Sequence, residues 1–177
     1  WCKSVLDASD KKWRIVMTHA GPYTSNHDPL DVRDYYINDS EYSLDAMGVD
    51  LFLNGHDHIY IRSTVKNDIK VNTGDGTTYL TGGTVGNKFY EYIPARSDYS
   101  TDFYTDEEDK QVFSIIEFSE DSIKGTAYQK QDVDNWNSFK AVDSYEIRNT
   151  LREGKSVTDY TDVPANAWYY KLSLIHI

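Results

Sequence analysis

Two short apolar runs each end abruptly in a loop that carries histidine, and this pairing constrains the chain more than any other feature. Trp13-Arg14-Ile15-Val16-Met17 leads into Thr18-His19-Ala20-Gly21-Pro22. Asp50-Leu51-Phe52-Leu53 leads into Asn54-Gly55-His56-Asp57-His58. A short apolar run bounded by turn residues reads as a buried strand, and Gly next to Pro marks a turn. Between the runs, residues 23–38 are polar and aromatic with Pro29 and read as a loop. Asp39 or Ser40 is expected to cap a short helix that runs through Met47 and stops at Gly48, with Leu44 and Met47 on its buried face. Strand, loop, helix, strand implies two parallel strands joined by a crossover. Ligand sites of such sheets lie beyond the carboxyl ends of the strands, which is where these histidines fall.

The rest of the chain reads as β-rich. Ile59 to Val65 alternates in part, and Thr78 to Thr81 is short and β-prone. Val112 to Phe118 and Ser122 to Gln129 form a hairpin across Ser119-Glu120-Asp121, and Tyr145-Glu146-Ile147 is a last short strand. Tyr90 to Lys110 reads as a long polar loop, with Asp106-Glu107-Glu108-Asp109 as a solvated acidic cluster. No internal repeat is visible. Residues 1–150 read as one domain and 151–159 as a polar linker. Residues 160–177 form an aromatic-rich end whose last residues, His176 included, fit no pattern.

The formal net charge of -11 repels phosphate backbones and argues against nucleic-acid binding. A phosphate-ester substrate would need a local reversal of that field, which bound metal ions supply. Cys2 is the single cysteine, so no intrachain disulfide forms. No apolar run approaches the roughly 20 residues of a membrane span. The start at Trp1-Cys2-Lys3 carries no signal pattern and reads as a truncation.

Neutral imidazole is the commonest metal ligand near neutral pH. His56 and His58, two apart on a turn after a buried strand, can aim ring nitrogens into one cavity, and the bland alternative is two surface histidines. His19 follows the other strand, so parallel pairing brings it to the same sheet edge, and His27 in the intervening loop can reach the same rim. Asn54 and Asp57 could orient ligand rings, although for Asp57 ordinary turn chemistry is the preferred reading. Tyr60 and Arg62 read as packing and structural pairing.

Val16-Met17-Thr18-His19 and Gly55-His56-Asp57-His58 resemble two conserved blocks of calcineurin-like metallophosphoesterases. The continuation Ile59-Tyr60-Ile61-Arg62-Ser63, the lead-in with Trp13, and the 37-residue interval from His19 to His56 are similar to the purple acid phosphatase branch. Asp143-Ser144-Tyr145-Glu146-Ile147 resembles the strand that closes such domains. The resemblance spans about residues 1–150. It implies an α/β fold, a mixed β-sandwich flanked by helices and incomplete at the N-terminus, with exposed strand edges. It implies a centre of two divalent or trivalent ions (iron, zinc or manganese), with His19 and His56 on one and His58 on the other. It also implies that His27 is a catalytic contact to substrate phosphate. The implied activity is hydrolysis of phosphate monoesters by metal-activated water, with a phosphodiesterase or nucleotidase as a variant. The family's aspartates, bridging carboxylate and asparagine have no counterpart here, so the chain alone is expected to be inactive. A non-catalytic surface protein that binds metal or wall polymer is the competing reading. Tyr160-Thr161-Asp162-Val163-Pro164 through Trp168-Tyr169-Tyr170 is similar to the opening of an S-layer homology module. That likeness implies a cell-wall polysaccharide partner and an extracellular or wall-associated location.

Overall fold

The computed structural model describes residues 1–27, 32–33, 36–37, 39–97, 100–105 and 110–149. The linker and the module-like end both lie outside these residues, as do the acidic cluster at 106–109 and the loop around Pro29. Two sheets carry the fold. The larger contains β1 (Ile15–Thr18), β2 (Leu51–Asn54), β3 (Tyr60–Lys66), β4 (Ile69–Lys70), β5 (Thr77–Gly82) and β6 (Thr101–Tyr104). Its order is β1-β2-β5-β3-β4, with β6 also on β3. β1, β2 and β5 run parallel, and β3 is antiparallel to β4, β5 and β6. The second sheet is an antiparallel meander of β7 (Val112–Phe118), β8 (Ile123–Lys130) and β9 (Phe139–Ile147).

The strand patterns follow from what each face meets. All four residues of β2 are buried, because both faces of this strand are covered. Leu51 and Leu53 face the second sheet, in a core with Tyr60, Leu80, Ile116, Ile123 and Ile147. Phe52 points the other way, into a cluster with Tyr23, Leu44, Met47 and Tyr79. β7 alternates along much of its length, with Val112, Ser114 and Ile116 inward, as expected of a strand covered on one side.

The helix-flanked α/β sandwich expected from the sequence is not the fold observed. The face of the large sheet that carries Phe52 and Tyr79 is covered by loop 21–27 and turns 40–48, with the seven-residue helix α1 (Cys2–Ala8) adding Cys2 and Leu6. A further helix, α2 (Pro94–Ser97), has four residues. The expected helix from Asp39 to Met47 is a series of turns. The Asp39 carboxylate does cap the first turn as expected, accepting from the N–H groups of Glu41 and Tyr42 at 2.8 and 2.7 Å, as an N-cap does, but the turns that follow do not join into a helix. Gly48, at φ 65°, redirects the chain into β2, and Leu44 and Met47 are buried without a helix beneath them. The region read as one long polar loop also holds α2 and β6, whose partner strand is β3.

The sheets are fastened by a buried ionic contact. Arg62 on β3 donates from Nε and Nη2 to the two carboxylate oxygens of Asp143 on β9, at 2.7 and 3.0 Å. It also donates from Nη1 to Asp102 on β6 at 3.1 Å, and the Tyr60 hydroxyl donates to Asp143 at 2.8 Å. Burial by itself would lower the Arg62 pKa, but the hydrogen bonds and charge of Asp143 more than reverse it. Asp143→Ala strips a buried guanidinium of its bidentate partner and leaves the Tyr60 hydroxyl unpaired. It should destabilise the chain by about 3–5 kcal/mol, read as a lowered urea midpoint, whereas Lys124→Ala at the surface should change it by less than about 0.5 kcal/mol.

Candidate functional site

The parallel register of β1 and β2 pairs Thr18 with Asn54, so the residues that follow each strand emerge side by side. The Gly55 N–H donates to the His19 carbonyl at 3.0 Å, which ties the two loops together immediately beyond the sheet. Gly21 lies so close to Asn54 that a Cβ there would stand 2.4 Å from its side chain, and only glycine fits. Asn54 is buried, and its amide N–H group donates to Thr81 at 3.0 Å and to the Gly55 carbonyl at 3.1 Å. It therefore shapes the loop and does not hold a histidine ring.

His56 Nδ1 and His19 Nε2 are 3.1 Å apart. The His27 ring lies 3.7 Å from the His56 ring, centroid to centroid. His58 is turned aside. Its Nδ1–H donates to the Lys88 carbonyl at 2.9 Å, and its ring meets Tyr90 at 4.7 Å. Tyr90 also meets His27 at 5.2 Å, so this ring contacts both histidines. His19, His56 and His27 are thus drawn together, with His58 at the edge of the group. Burial lowers the His56 pKa, its neighbours His27 and His19 lower it further, and Asp57 offsets part of this.

The bend in the second loop occurs at His56, whose φ is 71°, although glycine precedes it. A non-glycine residue in this region carries strain. The turn continues with the Asp57 N–H donating to the Gly55 carbonyl at 2.9 Å. Asp57 is fully buried, and its carboxylate accepts from the N–H groups of Ser25, Asn26 and His27 at 2.6, 2.8 and 3.1 Å. It also meets His27 Nδ1 in a short contact. The preference for plain turn chemistry at Asp57 is therefore corrected: this carboxylate organises the neighbouring loop. Residues 88–96, part of which was read as a long polar loop, also bind the site's loops. The Ile93 N–H donates to the Ser25 hydroxyl, Arg96 donates to the Asn26 carbonyl, and Lys88 and Tyr90 receive His58. A stretch read only as a long polar loop gave no sign that its first residues would reach loop 23–27 and His58.

Two ring nitrogens bound at about 2.1 Å to one ion stand about 3.0–3.4 Å apart, so the His19–His56 pair fits half of a coordination shell. Among the described residues, no three His, Cys, Asp or Glu side chains are disposed to hold an ion together. The residues present thus fit part of a metal site and not a complete two-metal centre.

Two outcomes follow for the metal-free chain. Glycine tolerates positive φ and alanine does not, so His56→Gly should be about 1 kcal/mol more stable than His56→Ala by urea unfolding. The lowered His56 pKa means the folded state favours the neutral ring. That contribution is fully present above the ordinary value of 6.5 and is lost as pH falls through the folded value. The melting temperature should therefore drop on acidification below about pH 6.5, and less steeply in His56→Gln.

No protein-family model and no curated protein matches the chain. Among solved structures, the chain is similar to GAP50, the anchor in the inner membrane complex of Plasmodium, with a TM-score of 0.59 at 18% sequence identity. The match covers 85% of this chain and 42% of that one, so the chain spans less than half the length of that structure, and the likeness is one of fold alone.

Proposed function

We propose that the chain contributes the histidine side of a metal-dependent phosphoester hydrolase. The observation that carries this reading is the 3.1 Å approach of His19 Nε2 to His56 Nδ1 beyond two parallel strands, with the His27 ring against His56. The motif resemblance at Val16 to His19 and Gly55 to His58 supports it from the sequence side. In this reading His19 and His56 hold metal, and His58 offers Nε2 because Nδ1 is engaged by Lys88. His27 stands at the rim to meet a phosphoryl oxygen of the ester. The bound metal (iron, zinc or manganese) supplies an activated water and charge neutralisation. The carboxylates such a centre needs would come from outside the described residues, since Asp57 is committed to loop 25–27.

A second reading is favoured by one observation. The His19–His56 pair stands in reach of one ion while the Asp57 carboxylate beside it is spent on loop N–H groups, which suits a surface protein that binds metal without catalysis, and wall polymer is a further ligand of that reading. Metal analysis and hydrolysis of p-nitrophenyl phosphate separate the two. For the hydrolase, His56→Ala in the intact parent protein should lose metal and lower kcat/KM by at least about 100-fold. Metal retention with no hydrolysis in the unmutated protein would decide for the binding role.

A further inference from the structure

Asp57 makes four contacts where the loop needs three. Its carboxylate accepts the N–H groups of Ser25, Asn26 and His27, and these alone would hold residues 25–27 in place. The fourth contact is to His27 Nδ1. Asp57 lies between two histidines in sequence, and the positive φ of His56 is the local reason that it can turn inward while its neighbours remain partly exposed. It is fully buried, whereas the His27 side chain is 35% exposed. The ring is therefore gripped at Nδ1 by a buried group while part of the side chain reaches the surface. A carboxylate accepting one ring N–H is the arrangement that fixes the tautomer and orientation of a working histidine.

Loop 23–27 is also held from other directions. The Thr24 hydroxyl donates to the His27 carbonyl at 3.0 Å. Ile93 and Arg96 bind Ser25 and Asn26 from the opposite side, and Tyr90 packs edge-on to the His27 ring. Backbone placement is thus over-determined without the bond to Nδ1, and what that bond adds is the direction of the imidazole.

We propose that Asp57 is the positioning residue for His27: by accepting the Nδ1–H, it leaves Nε2 as the one ring nitrogen free to meet a ligand beside the His19–His56 pair. The identification of that ligand as a phosphoryl oxygen rests on the proposed hydrolase reading, whereas the orientation of the ring does not.

Long-range nitrogen–proton NMR of the histidine rings, recorded above pH 7 on the folded chain, tests the orientation directly. His27 should be the Nδ1–H tautomer. In Asp57→Asn the new amide donates, so Nδ1 becomes an acceptor and His27 should switch to Nε2–H, with His19 and His58 unchanged. A carboxylate serving only the backbone would leave the tautomer where it was. An Nε2–H tautomer in the unmutated chain, or no switch in a folded Asp57→Asn variant, overturns the proposal. If the variant does not fold, the spectrum of the unmutated chain decides. Inorganic phosphate titrated against the metal-loaded parent should bind about tenfold more weakly after Asp57→Asn. Absence of phosphate binding to the unmutated parent would sink the hydrolase reading, and the tautomer would still decide this one.

Discussion

The register between β1 and β2 is the constraint on which the histidine cluster depends. A parallel pair fixes which residues leave the sheet together, and here both ends of the pair are locked. At the lower end the N–H groups of Asp50 and Leu51 both reach the Arg14 carbonyl, at 2.9 and 3.4 Å, and the Asp50 carboxylate accepts the Arg14 N–H at 2.8 Å. At the upper end Gly55 bonds to His19. A slip of one residue would turn Phe52 toward the other sheet and Leu53 away from it, exchanging the two cores, and would separate His19 from His56. Apolar burial on both faces of a four-residue strand thus sets a distance between two side chains that lie outside the core.

Apart from Tyr23, which packs into the core, the loops beyond the strands are held largely by polar groups. Thr24, Ser25 and Asp57 are almost wholly buried. Burying such groups costs stability unless each finds partners: the Asp57 carboxylate finds the N–H groups of residues 25–27, and the Ser25 hydroxyl finds the Ile93 N–H. This makes the site stiff at small scale. A rigid frame of this kind suits side chains that must hold direction as well as position.

Much of the strand framework was legible because it rests on local patterns. The apolar runs, the Gly-Pro turn and the Ser119-Glu120-Asp121 hairpin are each decided within a few residues. The layer over Phe52 was not legible, because Asp39 and Gly48 read equally as ends of a helix and as ends of successive turns. β6 was missed because its pairing with β3 joins residues some forty positions apart, and nothing in Thr101-Asp102-Phe103-Tyr104 names a partner. The convergence of His19 with His56 followed from the strand order. The separation of His58 did not, since it depends on Lys88 and Tyr90 arriving from a distant loop. Asp57 was misjudged for a related reason: a residue suited to a turn gives no sign in sequence of which backbone it will bind.

The electrostatics limit what this cluster can do unaided. Imidazoles neutral at working pH bring no charge to a metal, and two cations side by side need carboxylates to offset their repulsion. Although the chain is acidic, the Asp57 carboxylate that touches His27 is buried and saturated by N–H donors, which removes it as a ligand. Lys88, 4.9 Å over the Tyr90 ring, adds positive charge at the same rim and favours an anion there over a second cation. In the proposed reading, His19 and His56 would hold one ion, an anionic group would be drawn toward His27 and Lys88, and a second ion would require acidic ligands from beyond the described residues.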